Sequence, residues 1–377
     1  MLSILLKRQY NHLNVIELSR SALLHNHHAL QQLHPNTAIC PVLKSNAYGH
    51  GLKTLAPLFD TLHSPFLIVD SLYEAYELYK HHVHTPILIL GYTHPDNFKV
   101  KKIPFHISIF DIETAQTLSV HQPGCSVHIF IDTGMHREGI QLKELPSFLN
   151  EIKSLNLTIA GLASHFADAD NASSQEYTVS QIKYYKEALK MVRDHNINPQ
   201  WRHISASGGA FKVQDNTFNM IRAGIASYGV SPLKDIDKEN QKITLQPVLT
   251  LKTHIAQIKI IQKGAHVGYN GTYRALKKSK IAILPLGYYE GINRQFSCKG
   301  TVQIRGVDCP IIGAVSMNIT TVDVTNVPHV TVGDEVVVFS SQMGSVNSIQ
   351  NAARIIHMSP YELLVKLAES TYRKIAP

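Results

Sequence analysis

The sequence predicts an α/β protein, in which an N-terminal (β/α)₈ TIM-like barrel precedes a C-terminal, mostly β domain. Between residues 38 and 230, eight short apolar runs alternate with helix-like segments, and eight strand–helix units in one region are typical of such a barrel. After Gln246-Pro247 the pattern changes, and apolar residues alternate with polar ones as in half-buried antiparallel strands. The length of 377 residues also favours two domains over one.

The barrel strands follow from the apolar runs, each of which is long enough for a short strand. Ser71 and Glu74 form a capping box that predicts a helix start after the second run, and Ser173 and Glu176 form another after the sixth. The eight runs are Ala38–Leu43, Phe66–Val69, Ile87–Leu90, Phe105–Ile109, Ser126–Ile131, Thr158–Ser164, Arg202–Ser205 and Met220–Ala226.

The domain boundary is placed where βα alternation gives way to antiparallel strands. We predict a barrel domain at residues 11–245 and a β domain at residues 246–377, with residues 1–10 pairing with the β domain. Within the second domain, Pro310–Val315 is one of the predicted strands. Ser359-Pro-Tyr-Glu362 predicts a helix near the end of the chain, because it combines a cap, a proline at the first helical position and a capping glutamate.

Composition and charge exclude several classes of function. The net charge of +8 comes from dispersed basic residues, which favours a solvated surface over a nucleic-acid interface. No apolar run reaches the length of a membrane span, and the first residues do not have the charge order of a signal peptide. The four scattered cysteines indicate a reduced, cytoplasmic location. The 22 histidines have no acidic partners at ligand spacing, so no metal site is expected.

One lysine stands at the end of the first predicted strand, in the stretch PVLKSNAYGHG that contains Lys44 and Tyr48. Active sites of barrels lie at the C-terminal ends of the strands. The simplest alternative is a surface lysine at a strand end. The other interpretation is a lysine held in a pocket, where it forms a Schiff base.

The ends of the later strands favour the pocket. The seventh strand runs into Ser207-Gly-Gly209, whose hydroxyl and exposed amides suit a phosphate, and the eighth carries Arg222 followed by Gly224 and Ile225. A lysine on one wall and a phosphate cradle on the other fit a cofactor with an aldehyde and a phosphate. Pyridoxal 5′-phosphate is such a cofactor.

Seven segments in order resemble the alanine racemase family, and together they extend over nearly the whole chain. The family is built from a (β/α)₈ barrel and a C-terminal β domain, and it uses pyridoxal 5′-phosphate. The segments are PVLKSNAYGHG, FIDTGMHREG, GLASHF, FNMIRAGIASYGVSP, VGYNGTYRA, LPLGYYEGI and IGAVSMN.

The resemblance implies an activity and a role for each matching residue. It implies interconversion of L- and D-alanine in the cytoplasm, for peptidoglycan, with Lys44 and Tyr269 as bases on opposite faces of the cofactor. It also implies a homodimer with shared active sites. The cofactor would be held by Lys44, Tyr48, His165, Ser207, Arg222, Gly224, Ile225 and Tyr361, and the substrate by Arg137, Met317 and Tyr288.

The chain departs from the family pattern at three positions, one of which is Ser207-Gly-Gly209 in place of a more usual serine–alanine pair. Asn318 stands where many members have aspartate, which motivates an alternative, a broad-specificity amino-acid racemase of the same fold. Phe130 stands where some members have a modified lysine that orients the arginine at position 137. Two further classes fit less well. A decarboxylase on this barrel predicts an acid in place of Arg222, and a cofactor-carrying regulatory protein predicts the barrel alone.

Overall fold

The computed structural model describes residues 11–377, which form two compact units. The barrel unit is Arg20–Pro247, and the β unit joins Val248–Pro377 to residues 11–19. Strand β1 (Val15–Ser19) explains this division.

Strand β1 is hydrogen-bonded within the β unit. It pairs antiparallel with Leu249–His254 and parallel with Tyr372–Ala376, and it buries Ile16 and Leu18. The predicted barrel domain, residues 11–245, includes this strand, whereas the hydrogen bonds of β1 place it in the β unit. The pairing predicted for residues 1–10 lies outside the described residues.

The predicted (β/α)₈ barrel is confirmed. Strands β3, β4, β5, β6, β8 and β9 form one parallel sheet, and β10 pairs parallel with β2. Hydrogen bonds close the ring from Leu43 N–H to Ile68 O and from Asn219 N–H to Arg202 O. The strands are β2 (Ala38–Pro41), β3 (Leu67–Val69), β4 (Ile87–Ile89), β5 (His106–Ile109), β6 (Cys125–Asp132), the short β7 (Ile140–Gln141) beside β6, β8 (Leu157–Ala163), β9 (Trp201–His203) and β10 (Met220–Ala223).

Alternation along the strands decides which side chains enter the barrel. Cys40 and Met220 pack with residues of β3 and β4 inside it, whereas Ile39 and Ile221 pack outward in a cluster that includes Leu30. Because side chains two residues apart share a face of a strand, Arg222 points inward with Met220. The barrel therefore directs a charged side chain into its own interior.

Helices follow most barrel strands, as the βα pattern predicts, and α1 precedes the first of these strands. They are α1 (Arg20–Leu33), α2 (Lys44–Tyr48), α3 (Leu52–Asp60), α4 (Leu72–Lys80), α5 (Ile112–His121), α6 (Leu145–Ile152), α7 (Glu176–Asp194) and α8 (Ser207–Lys212). Among the described residues, no helix is long and apolar enough to cross a membrane.

The two predicted capping boxes have different outcomes. Ser71 does cap α4, because its hydroxyl accepts the N–H of Glu74 at 3.2 Å. The predicted start at Ser173 is wrong, since α7 begins at Glu176 without a side-chain cap. The backbone N–H of Ser173 instead donates to the side chain of Asn171, which holds this stretch in a turn.

Within residues 11–377, the β unit contains one mixed sheet, two antiparallel arrangements and two short α-helices. A six-stranded sheet has the order β17-β16-β19-β11-β1-β20, a three-stranded sheet has the order β12-β15-β18, and β13 pairs with β14. The elements are β11 (Leu249–His254), β12 (Gln257–Ile261), β13 (His266–Val267), β14 (Tyr273–Arg274), β15 (Ser279–Leu284), β16 (Thr301–Ile304), β17 (Val307–Pro310), β18 (Thr320–Asp323), β19 (Glu335–Phe339), α9 (Ile349–Ile355), α10 (Pro360–Val365) and β20 (Tyr372–Ala376).

The strand predicted at Pro310–Val315 is wrong in position. Strand β17 ends at Pro310, and beyond it Ile311 makes a single bridge to Val322. The reason is the tight turn at Arg305 and Gly306, which both have positive φ and fix the register of the β16–β17 hairpin. The predicted helix at Ser359 is confirmed, with Pro360 in its first turn, although Ser359 makes no side-chain cap bond.

Candidate active site

Lys44 begins a single left-handed turn at the end of β2. The four residues after it, Ser45 to Tyr48, have φ between 52° and 55°. Each non-glycine residue in this region costs about 1–2 kcal/mol relative to the right-handed form. Backbone strain of this kind concentrates at functional sites, where the surrounding structure holds it in place.

Hydrogen bonds from neighbouring elements hold this turn. The carboxylate of Glu74 accepts the N–H of Ser45 at 2.6 Å and the N–H of Asp70 at 3.0 Å. The side chain of Asn46 accepts the N–H of Leu52 at 2.8 Å. Glu74 therefore does not complete the predicted reciprocal capping bond to Ser71, because its carboxylate ties the end of β3 to the turn of Lys44.

Replacing Glu74 by alanine is expected to lower the free energy of unfolding by about 1 kcal/mol, because two backbone donors at partly exposed positions lose their acceptor. The turn of Lys44 should also become more mobile. Chemical denaturation and the retention of bound cofactor after dialysis measure the two effects. Glu113→Ala, in the first turn of α5, is the matched control. Equal stability and retention in both variants would contradict this role of Glu74.

Lys44 forms an ion pair at the mouth of the barrel. Its Nζ lies 3.2 Å from Oδ1 of Asp70, which follows β3, and both side chains are partly exposed. Asp70 is a residue that sequence reasoning missed. Its position directly after a predicted strand was the signal that could have found it.

Arg222 is buried, with 1% of its surface exposed. Its Nη1 donates to Nδ1 of His203 at 2.6 Å, and its Nη2 donates to Nδ1 of His165 and to the carbonyl of Ser164, each at 2.7 Å. Burial lowers the pKa of Arg222 to about 10, which still leaves it charged at neutral pH. Its Nε donor has no hydrogen-bond acceptor among residues 11–377, so an external acceptor would satisfy it.

His165 lies close to three positively charged side chains at the mouth of the barrel. Burial is the main cause that lowers its pKa to about 3, followed by the positive charges of Arg222, Arg137 and Lys44. His165 is therefore neutral at physiological pH, and the barrel brings three predicted cationic site residues close to it.

Ser207 and Gly224, which follow strands β9 and β10, form a cradle of small groups. The hydroxyl of Ser207 accepts the N–H groups of Gly224 and Ala226 at 3.1 and 3.2 Å. A side chain at Gly224 would place Cβ 2.4 Å from the hydroxyl of Tyr48, so only glycine fits there. Burial, and then the charge of Asp70, raises the pKa of Tyr48 to about 12, which keeps its hydroxyl protonated.

The backbone amides beside this cradle suit an anion. The N–H groups of Ser207, Gly208 and Gly209 open helix α8 and have no acceptor within the part of the chain that the structure describes. Ile225 follows Gly224 at the start of a short 3₁₀ turn. Together with the unsatisfied Nε of Arg222, these donors fit a ligand that carries both a phosphate and a ring nitrogen.

Arg137 is held by a carboxylate that sequence reasoning missed. Its Nε lies 2.5 Å from Oε2 of Glu138, and Phe130 is buried nearby at the end of β6. Glu138 is thus a carboxylate partner of Arg137 in a site where position 130 is apolar. No group of His, Cys, Asp and Glu among residues 11–377 is arranged to hold a metal ion.

The remaining predicted site residues belong to the β unit. The backbone N–H groups of Tyr288 and Tyr289 donate to the carbonyls of Ser316 and Met317, which joins two of the predicted loops. Tyr269 follows Gly268, which packs against the backbone of Gly313 and Ala314 in the same segment as Met317. Each of these predicted site residues has a side chain that is partly exposed to solvent in the single chain: Tyr269, Tyr288, Met317 and Tyr361.

The structure also explains Asn318. Its amide Nδ2 donates to Oε1 of Glu290 at 2.8 Å, and Oε2 of Glu290 accepts the N–H of Gly287 at 2.7 Å. An aspartate at position 318 would place two carboxylates together. The amide is therefore the compatible partner for Glu290.

The fold and the strand-end groups define a class of enzyme with a (β/α)₈ barrel, a separate β unit, and a site for an anionic ligand beside a lysine. Comparison with known proteins identifies the family. The family model for the alanine racemase N-terminal domain matches residues 18–232, and the model for the C-terminal domain matches residues 248–375. The chain belongs to the alanine racemase family, and it is a racemase, which is an isomerase.

Individual relatives match this chain over nearly its whole length. The chain is 32% identical over 367 residues to an alanine racemase of Leptospira interrogans, covering 95% of this chain and 94% of that protein. The solved alanine racemase of Clostridium difficile has a TM-score of 0.91 at 29% identity, covering 98% and 97% of the two chains. A Bartonella henselae alanine racemase with covalently bound pyridoxal phosphate has a TM-score of 0.83 at 25% identity, covering 97% and 100%.

Proposed function

We propose that the chain interconverts L- and D-alanine with pyridoxal 5′-phosphate and two bases, Lys44 and Tyr269. The observation that carries this proposal is the buried Arg222, whose acceptors are all neutral and whose Nε is unsatisfied. When bound, the cofactor withdraws electrons from the substrate carbon that bears the amino group and so eases the loss of its proton. The remaining chemistry belongs to the residues of the chain.

The barrel residues would hold and orient the cofactor. Lys44 would hold its aldehyde carbon covalently, and Arg222 would donate a hydrogen bond from Nε to the ring nitrogen. An arginine has donors only and stays protonated, so it leaves that nitrogen without a proton and limits side reactions. The proposed phosphate ligands are Tyr48, Ser207, Gly224, Ile225 and Tyr361, and His165 would pack beside the ring.

Two bases suit racemisation because the proton leaves one face of the substrate carbon and returns to the other. Lys44 would serve one face and Tyr269 the opposite one. Arg137, oriented by Glu138, would bind the substrate carboxylate, and charge-assisted hydrogen bonds of this type are the strong ones. Tyr288 and Met317 would line the entrance and restrict it to a small side chain.

The site would be shared between two copies of the chain. Tyr269, Tyr288 and Met317 are partly exposed on the β unit, and in a homodimer they would complete the barrel site of the partner. The proposed biological role is the supply of D-alanine for peptidoglycan in the cytoplasm. Growth of a D-alanine-requiring bacterial strain without added D-alanine, when it carries this gene, tests that role.

The decisive experiment is incubation of the purified holoenzyme with L-alanine in D₂O. The expected result is D-alanine and L-alanine that both carry deuterium at the α-carbon. A parallel series with serine, lysine and arginine tests the alternative of a broad-specificity racemase. If serine, lysine or arginine is turned over faster than alanine, that amino acid is the preferred substrate. If neither alanine nor any of these three takes up deuterium, the racemase mechanism is wrong.

A further inference from the structure

Three histidines form a hydrogen-bonded chain inside the barrel that ends on Arg222. Nδ1 of His106 lies 3.3 Å from Nε2 of His128, and Nδ1 of His128 lies 2.9 Å from Nε2 of His203. Nδ1 of His203 then accepts Nη1 of Arg222 at 2.6 Å. His128 and His203 are completely buried, and His106 is partly exposed.

The hydrogen bond between His128 and His203 passes across strand β8. His128 is on β6 and His203 is on β9, and β8 lies between them, with Gly161 in register with His128 and Ala163 in register with His203. A Cβ on Gly161 would lie 2.2 Å from Nδ1 of His128. Glycine at this position is therefore what allows the two rings to meet.

Arg222 determines the direction of every bond in the chain. A guanidinium only donates, so Nδ1 of His203 accepts and its proton is on Nε2. That proton goes to Nδ1 of His128, which must accept and so carries its own proton on Nε2. The same reasoning makes Nδ1 of His106 the acceptor from His128. All three rings are thus neutral Nε2–H tautomers with their dipoles aligned.

The surroundings keep these rings neutral. The ring of Phe66 packs edge-on against His106 and His128, with centroid distances of 4.8 and 5.5 Å. Burial lowers the pKa of His106 to about 4 and the pKa values of His128 and His203 well below the usual range. Aligned neutral hydrogen bonds in a low-dielectric interior strengthen one another, and they stabilise a buried cation without a carboxylate.

We propose that His203, His128 and His106 are positioning residues, a one-way hydrogen-bond chain that fixes the guanidinium of Arg222 and keeps its Nε donor for the ring nitrogen of the cofactor. This inference rests on the proposed function, because it assigns the chain a purpose in that reaction. Under this proposal, the orientation of the Arg222 guanidinium depends on His106, a residue that lies outside the site.

The first test is ¹⁵N NMR of the holoenzyme labelled at histidine and arginine. The expected spectrum has a protonated Nε2 and an unprotonated Nδ1 in His203, His128 and His106, unchanged across the neutral pH range. Protonated Nδ1 in His203 or His128 would overturn the proposal. This readout does not depend on catalysis, so a wild-type enzyme that fails to racemise alanine would refute the proposed function while leaving the tautomers as measured.

The second test changes the far end of the chain. In His106→Asn, the amide oxygen can still accept from His128, so the signals of His203 and Arg222 should stay in place. In His106→Leu, His128 loses that acceptor, and the signals of both residues should move. His121→Leu, at the exposed end of α5, is the control. Identical spectra for His106→Leu and His121→Leu would overturn the role of His106.

The third test compares His203→Leu with His203→Asn. Misplacement of a catalytic group by a remote change costs up to about 100-fold, so His203→Leu should lower kcat roughly 10- to 100-fold with little change in KM. His203→Asn retains an acceptor for Arg222 and should recover most of that loss. Equal kcat values for the two variants would contradict a positioning role.

Discussion

The Lys44→Ala variant should have a racemase activity at least about a thousandfold lower than that of the wild type. The reason is that one side chain supplies both the covalent attachment of the cofactor and the base for one face. The fold should be unaffected. The ion pair of Lys44 with Asp70 joins two partly exposed side chains, and such pairs contribute about 1 kcal/mol or less. Borohydride reduction followed by peptide mass spectrometry should find the cofactor on Lys44 in the wild type only.

Lys53→Ala is the matched control for this prediction. Lys53 is nine positions further along the chain, is similarly exposed, and forms an ion pair of 3.0 Å with Glu77. This variant should retain its activity and its borohydride-fixed cofactor. A Lys44→Ala protein that still fixes the cofactor on another lysine and remains active would show that Lys44 is not the attachment point.

Tyr269→Phe is expected to lower racemase activity by about 10²- to 10⁴-fold, because it removes the proton-transferring hydroxyl proposed for the second face. The side chain of Tyr269 is 67% exposed on the chain, so the melting temperature should not change. With one base lost, deuterium should enter the two enantiomers of alanine at unequal rates. Tyr184→Phe on α7, where the side chain is 42% exposed, is the control. Equal activity in Tyr269→Phe and Tyr184→Phe would exclude Tyr269 as a base.

Mixing the two inactive variants tests whether the site is shared. If Lys44 of one copy works with Tyr269 of its partner, half of the reassociated dimers contain one intact site of two. Activity should then return to about a quarter of the wild-type value, since random pairing of two equal pools gives that fraction in a twofold-symmetric dimer. No recovery would place Lys44 and Tyr269 of a working site in the same chain.

The sequence by itself determined the eight barrel strands and the positions of the site residues at their ends. These are local properties, because a short apolar run followed by polar or small residues marks a buried strand and its end wherever it lies in the chain. Lys44, Ser207 and Arg222 could therefore be named as candidate site residues before any contact was known. The same locality explains two errors, at Ser173 and at Pro310–Val315, where a nearby turn competed with the predicted element.

Only the tertiary structure decided how the site residues are held. Glu74 supports the turn of Lys44 because β3 lies beside β2, although the two residues are 30 positions apart in the sequence. The histidine chain depends on the register of β5, β6 and β9 and on the space left by Gly161, which is visible only when the barrel closes. Strand β1 likewise joins the β unit through long-range pairing with β11 and β20. Register and pairing arise between distant segments, so no local pattern encodes them.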